Sequence, residues 1–324
     1  MNYLPDKLLD EIKNSNLKNL IKHILCGIRK ISNNLRNNNF KNNKIGTLNK
    51  FGDEQLEVDL NCDNIIFDCL KKSNCVYIGA SEENPKEIYI NKNLNEGFSV
   101  AFDPLDGSSI IDANFAVGTI IGIWEGEGII GKNGNDLCVS LISQYGPKTT
   151  IALAISNKFI KNDKNIVIEL TMTDNLWEIT NNFKILENAK TFAPGNLRAV
   201  TDNNDYMDLI NYFIKNRYTL RYTGGLVPDI YHILTKGQGI FTNVSSINAK
   251  AKLRLAFEVA PIAFIIESCG GITCQCPEIW DDKTIPISIL DIRIDKIDQR
   301  IGIACGSIES VNLFKNFLFK KEKN

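Results

Sequence analysis

The sequence predicts an α/β protein built of two packed halves, and three features carry that prediction. The chain is 324 residues long, more than one compact core usually holds. Its first half runs from helical periodicity into a series of short β-rich runs. Past about residue 188, helix and strand patterns alternate. The expected halves are therefore 1–188 and 189–324, with no internal repeat and no low-complexity linker between them.

Taken in order, Leu8, Ile12, Leu17, Leu20, Ile21, Ile24, Leu25, Ile28 and Ile31 recur at helical spacing. The stretch from Asn33 to Lys50 is rich in Asn and Lys and reads as a surface loop. A second helix is expected from about Glu54 to Lys71. Val76–Ile78, Phe98–Phe102, Thr119–Trp124 and Thr149–Ser156 read as strands. The runs Ile166–Thr173 and Leu176–Thr180 join through Asp174-Asn175 as a hairpin. Farther on come a helix at Tyr206–Asn216, a strand at Gly239–Thr242, and an apolar helix at Ala260–Ser268 stopped by Gly270-Gly271. A last strand at Ile301–Ala304 precedes a helix and the charged tail Lys320–Asn324.

Composition removes several function classes. The net charge is -1, so no basic field draws the chain to nucleic acid or an acidic membrane. No apolar run reaches the roughly 20 residues that span a bilayer. The N-terminus carries Asp6 and Asp10 and no signal-like apolar stretch, so a cytoplasmic protein is expected. The nine cysteines are scattered, and Cys269, Cys274 and Cys276 lack the spacing of a zinc knuckle. Only His23 and His232 exist, both in helical patterns. Serine-histidine and zinc-histidine hydrolase chemistry therefore has little to work with, and an enzyme here should use carboxylates.

The carboxylates have a focus. Phe98–Phe102 runs into Asp103-Pro104-Leu105-Asp106-Gly107-Ser108-Ser109. Pro104 cannot donate to a strand ladder, so the chain turns there and both acids can share one side. Gly107 allows close backbone approach, and Ser108-Ser109 can open a helix with free amides. Such a turn alone is more often a solvated loop. Glu82 and Glu83 end another strand, Asp53 and Asp59 frame the second helix, and Glu258 is a lone acid in an apolar run. A buried Glu in such a run is expensive unless it meets a cation. Converging carboxylates without histidine suit Mg²⁺ or Mn²⁺, and two such ions can clamp a phosphoryl transfer.

These motifs resemble the fructose-1,6-bisphosphatase family of the carbohydrate and inositol phosphatases. The residues that carry the resemblance are Ser81-Glu82-Glu83, Asp103–Ser109 and Lys252-Leu253-Arg254-Leu255 with Phe257-Glu258. Four longer stretches, Ser109–Thr119, Phe192–Ala199, Leu220–Asp229 and Ile240–Val244 with Ala249–Leu255, are similar to the sedoheptulose-1,7-bisphosphatases within it. The resemblance implies a layered α-β-α-β-α sandwich, the sugar-phosphatase fold. It implies Mg²⁺-dependent hydrolysis of the 1-phosphate of sedoheptulose 1,7-bisphosphate, with two or three ions.

Residue by residue, it implies metal ligation by Glu82, Asp103, the Leu105 carbonyl, Asp106 and Glu258. Asp59 and Glu83 would activate water, and Asp53 would enter the site on a loop. Gly107, Ser108 and Ser109 would cradle the cleaved phosphate. Asn196, Arg221, Tyr222 and Lys252 would hold the distal phosphate, with Arg254 assisting. Arg221 would reach in from a neighbouring subunit, which implies a homodimer or tetramer. Asn243 stands where fructose-bisphosphatases carry tyrosine. The redox cysteine pair of the chloroplast enzymes has no counterpart in Ile45–Phe51, and the N-terminal helix shows no AMP-site match. Fructose 1,6-bisphosphate is the nearest alternative substrate. An inositol or nucleotide phosphatase is less compatible with a second phosphate pocket, and an inactive scaffold would have lost a matched acid. Replacing Asp106 by Asn is expected to abolish turnover with little loss of folding.

Overall fold

The Asn14 side chain accepts a hydrogen bond from the Leu17 amide at 2.9 Å, and that cap starts the long N-terminal helix. The computed structural model describes residues 5–37, 44–48, 54–185, 187–277 and 285–319. Helix α1 spans Asp6–Glu11 and α2 spans Ser15–Arg36. The single apolar series of the sequence is thus two helices, because Ile12 is extended and bridges Ile160. In α2, Leu17, Leu20, Ile21, Ile24, Leu25, Ile28 and Ile31 form one buried stripe.

Two expectations change here. Between Asn33 and Lys50 the chain is not simply a loop. Helix α2 continues to Arg36, and Lys44–Leu48 forms β1, paired antiparallel with β2, Glu54–Leu56; residues 38–43, 49 and 50 lie outside the described residues. The second helix, α3, consequently starts at Glu57 rather than Glu54, because the three residues before it are engaged as a strand. It runs to Ser73 and stops at Asn74, whose φ of 51° is left-handed.

An eight-stranded sheet follows. Its strands are β3 Val76–Ser81, β4 Ile88–Tyr89, β5 Phe98–Asp106, β6 Val117–Glu125, β7 Leu137–Tyr145, β8 Thr149–Ile155, β9 Ile166–Thr173 and β10 Leu176–Asn182. Their order is β10-β9-β8-β7-β6-β5-β3-β4, antiparallel except for the parallel pair β3–β5. The β9–β10 hairpin turns through Asp174 and Asn175, both at positive φ, as a tight two-residue turn demands. Strand β7 was not among the sequence expectations. It is buried on both faces, so its pattern lacks the period of two that marks a half-exposed strand.

The remainder builds β11 Glu187–Pro194, α4 Asn204–Lys215, β12 Thr219–Leu220, α5 Leu226–Lys236, β13 Gln238–Asn243, α6 Ala260–Ser268, β14 Ile272–Gln275, β15 Ile303–Gly306 and α7 Ile308–Leu318. The second sheet has the order β12-β11-β13-β15-β14.

Three apolar clusters define the layers. The first packs α1, α2 and α3 on one face of the large sheet, through Val76, Phe98, Val100, Phe102, Ile121 and Leu153. The second fills the space between the sheets with α5 and α6, against Ala101, Ile120 and Trp124 on one side and Phe241, Ile303 and Cys305 on the other. The third packs α4 and α7 on the outer face of the small sheet. The result is the α-β-α-β-α sandwich, each layer burying the apolar face of the next. No helix of the described residues is long and apolar enough to cross a membrane.

Candidate active site

The parallel pairing of β3 with β5 sets the centre of the site. Ser81 lies opposite Phe102, and the Glu82 amide donates to the Phe102 carbonyl at 3.1 Å. Glu82 therefore emerges beside Asp103. Glu258 comes from the other half. It sits in the wide turn Leu255–Val259 that opens α6, where the Glu258 and Val259 amides both donate to the Arg254 carbonyl. Such widened turns are rare and cluster at functional sites. The Glu258 carboxylate accepts the Arg254 amide at 2.6 Å. One carboxylate oxygen from each of Glu82, Asp103 and Glu258 lies within 4.8 Å of the others.

Burial first, and then the neighbouring Glu82, hold the Asp103 and Glu258 carboxyls well above the ordinary range. The Arg254 guanidinium supplies local positive charge, donating from Nη1 to Glu82 Oε1. This contact seats Arg254, expected to assist at the distal phosphate, beside the acid cluster. Its side chain is buried, and a buried guanidinium is tolerable only against a carboxylate.

Asp106 closes the other side. Its two oxygens accept the amides of Leu226 at 3.1 Å and Val227 at 2.6 Å, at the N-terminus of α5. Gly118 lets α5 come this close, since a Cβ there would lie 2.6 Å from the Ser143 carbonyl oxygen and closer still to Val227. Burial outweighs the two amides and raises the Asp106 carboxyl to about 7. The Leu105 amide donates to Asp103 Oδ1 at 2.9 Å. Gly107 has a φ of 80° and starts the short 3₁₀ turn Ser108–Ala113.

Asp59 lies in the first turn of α3 and is buried. Burial and then Glu83 raise its carboxyl to about 8, opposed by a hydrogen bond from Ser108. Asp53 lies outside the described residues. Two acids of this wall escape the sequence reading. Asp63, one helical turn after Asp59, is buried and held at about 6 by burial, with Ser81 hydrogen-bonded to it. The spacing of four between two acids on an apolar helix face is the signal that could have found it. Asp229 accepts the Thr223 amide at 2.8 Å and fixes the loop Thr223–Gly225, whose Gly225 lies against Gly107.

The residues expected around a distal phosphate fall on the small-sheet side. Tyr222 donates its hydroxyl to the Gly195 carbonyl at 3.0 Å. The neighbouring Asn196 is buried, and its Nδ2 donates to the Val244 and Ala249 carbonyls at 2.8 and 2.9 Å. That amide braces the loop after β13, leaving Oδ1 as its remaining polar atom. Arg221 and Tyr222 are exposed and line a cavity of about 530 Å³ with Phe115, Leu220 and His232. Lys252 is exposed.

A divalent cation fits the acid cluster. Two buried carboxylates, Asp103 and Glu258, and the half-buried Glu82 stand against one guanidinium, and the raised carboxyls of the buried pair are the mark of uncompensated negative charge. The all-oxygen donor set suits a hard ion.

Comparison with known proteins agrees with this architecture. Residues 6–164 match the description "Fructose-1-6-bisphosphatase, N-terminal domain", and residues 185–319 match "Fructose-1-6-bisphosphatase, C-terminal domain". The chain is 43% identical over 272 residues to a chloroplastic sedoheptulose-1,7-bisphosphatase of Spinacia oleracea, covering 84% of this chain and 67% of that one. It is 35% identical over 307 residues to a class 1 fructose-1,6-bisphosphatase of Syntrophotalea carbinolica, covering 93% and 89%. Among solved structures, a holo fructose-1,6-bisphosphatase of Leishmania major superposes with a TM-score of 0.84 at 25% identity, covering 98% of each chain.

Proposed function

Because the chain belongs to the fructose-1,6-bisphosphatase family, and so is a sugar-bisphosphate phosphatase, we propose that it hydrolyses the 1-phosphate of sedoheptulose 1,7-bisphosphate in a Mg²⁺-dependent reaction. The observation that carries the metal dependence is the convergence of Glu82, Asp103 and Glu258, whose carboxylate oxygens lie within 4.8 Å of one another. The seven-carbon sugar rests on the 43% identity to the spinach enzyme, against 35% to the bacterial fructose-bisphosphatase.

Glu82, Asp103, Asp106, Glu258 and the Leu105 carbonyl would hold the ions. Bound there, two or three Mg²⁺, or Mn²⁺ in their place, would polarise the phosphoryl group and lower the pKa of water. Asp59 and Glu83 orient the attacking water and take its proton. The amides after Gly107 and the hydroxyls of Ser108 and Ser109 face the cleaved phosphate. Arg221, Tyr222, Lys252 and Asn196 receive the distal phosphate, matching a dianion with basic and phenolic donors. Arg221 serves the site of a neighbouring copy, which makes the working form a homodimer or a tetramer. Asp53, outside the described residues, is assigned a catalytic part by the family resemblance alone. The reaction needs no nucleic acid and no membrane, and a cytoplasmic setting suits it.

The test is phosphate release from both bisphosphates with and without Mg²⁺. The expected result is Mg²⁺-dependent release with kcat/KM higher for the seven-carbon sugar. One hydroxymethylene unit separates the two substrates, and a roomy pocket discriminates weakly over so small a difference. A ratio favouring fructose 1,6-bisphosphate replaces the substrate assignment, and release independent of divalent cation overturns the mechanism.

A further inference from the structure

The ladder between β5 and β6 breaks at the turn that carries the acids. Asp103 pairs with Ile120 and Asp106 with Gly118, so Pro104 and Leu105 together oppose the single residue Thr119. This is a β-bulge. Its normal ladder bonds are lost, because Pro104 has no amide hydrogen and the Leu105 amide is taken by Asp103 Oδ1. Side chains replace them. Thr119 Oγ1 donates to the Pro104 carbonyl at 2.8 Å. Thr119 Oγ1 also lies 2.8 Å from the Tyr145 hydroxyl. A threonine hydroxyl has one hydrogen, and here it goes to Pro104, so Tyr145 is the donor to Thr119. Both side chains are buried, Thr119 completely and Tyr145 all but 7%.

We propose that Thr119 and Tyr145 are positioning residues for the acid turn: their two hydroxyls in series hold the Pro104 carbonyl, and so the bulge that presents Asp103 and Asp106 on one side. Neither touches the acids themselves. The consequence rests on the reading of those acids as cation ligands. With the Pro104–Leu105 peptide pinned from behind, Asp103 and Asp106 keep their spacing before any ion arrives. A metal then meets a formed site rather than ordering one.

The test uses the full-length protein and four variants, Thr119→Val, Thr119→Ser, Tyr145→Phe and Tyr145→Phe with Thr119→Val. Mn²⁺ binding is read by electron paramagnetic resonance of the free ion, and folding by thermal unfolding. Thr119→Val is expected to weaken Mn²⁺ binding about 10-fold and Tyr145→Phe about 3-fold, from loss of buried hydrogen bonds. Thr119→Ser keeps the hydroxyl and restores binding to within about 2-fold. The double variant is no weaker than Thr119→Val, because the two hydroxyls act in series. Turnover falls with metal binding while KM for the sugar stays put. Unchanged Mn²⁺ binding in a folded Thr119→Val overturns the proposal. Should that variant not fold, Tyr145→Phe decides by the same measure. Mn²⁺ binding is measured without substrate, so a chain that hydrolyses neither bisphosphate removes the functional reading and leaves this comparison intact.

Discussion

Arg254 and Glu82 stand 172 positions apart in the chain, yet the guanidinium of one donates directly to the carboxylate of the other. The pair joins the small-sheet half to the large-sheet half at the point where the acids converge. Removing the arginine would leave Glu82, Asp103 and Glu258 facing one another without local positive charge.

Arg254→Met is therefore expected to destabilise the metal-free protein by about 3–5 kcal/mol, the range for breaking one side of a buried ion pair. Saturating Mg²⁺ should recover much of that loss, since the ion restores positive charge at the same carboxylates. Denaturant unfolding with and without Mg²⁺ measures both numbers. An equal loss under the two conditions would show that Arg254 serves packing alone.

Burial of the acids sets the pH dependence. Asp59 is raised to about 8, Asp106 to about 7 and Asp63 to about 6. The same groups in the unfolded chain titrate near 3.8. Between these values the folded state binds more protons than the unfolded one, so stability falls as pH rises through that window. The metal-free protein should melt at a higher temperature at pH 5 than at pH 8.5. Excess Mg²⁺ should flatten or reverse the trend by competing with protons for the acids. Calorimetry across that range checks the sign, and a metal-free melting temperature that climbs with pH would contradict the burial argument.

Asp106→Asn is expected to abolish Mg²⁺-dependent turnover, and the structure adds a folding penalty that the sequence does not suggest. Both Asp106 oxygens accept α5 amides. An asparagine can accept only one, and its NH₂ group would face the other amide donor. The expected loss is about 1–3 kcal/mol, the cost of an unsatisfied buried donor. Chemical denaturation of the variant gives the number, and stability equal to wild type would mean that α5 re-seats freely.

Much of this site is readable before folding, and the unreadable part has physical causes. Asp103 and Asp106 announce themselves because Pro104 breaks an apolar strand between them. Glu258 does so because it is alone among apolar neighbours. The elements follow from periodicities that survive wherever one face of an element is wet, and their layering follows from the family resemblance. Strand β7 has no wet face and shows no alternation. Asp63 hides because its significance depends on Ser81, in another element. The Arg254 ion pair is hidden because its partner, Glu82, lies in the other half of the chain. Thr119 reads as one more β-branched strand residue until the register shows that it alone faces a two-residue bulge.

Gly118 is the residue that couples packing to chemistry most directly. It pairs with Asp106 across the β5–β6 ladder, and its missing side chain is the space that Val227 fills. Gly118→Ala would set a methyl 2.6 Å from the Ser143 carbonyl oxygen, a backbone atom fixed by the β6–β7 ladder. The sheet cannot yield there, so α5 must. Withdrawal of α5 takes the Leu226 and Val227 amides away from Asp106, which then becomes a buried acid with lost partners. Overpacking of this kind costs about 1–3 kcal/mol, and the lost hydrogen bonds to a charged group cost about 1.5–3 kcal/mol more. The variant should therefore be destabilised by more than its added methyl explains, and its turnover should fall even at temperatures where it stays folded. Thermal unfolding together with kcat at 15 °C separates the two effects. A Gly118→Ala protein that loses stability but keeps full kcat would show that the seat of α5 on Asp106 matters to the fold and not to the reaction.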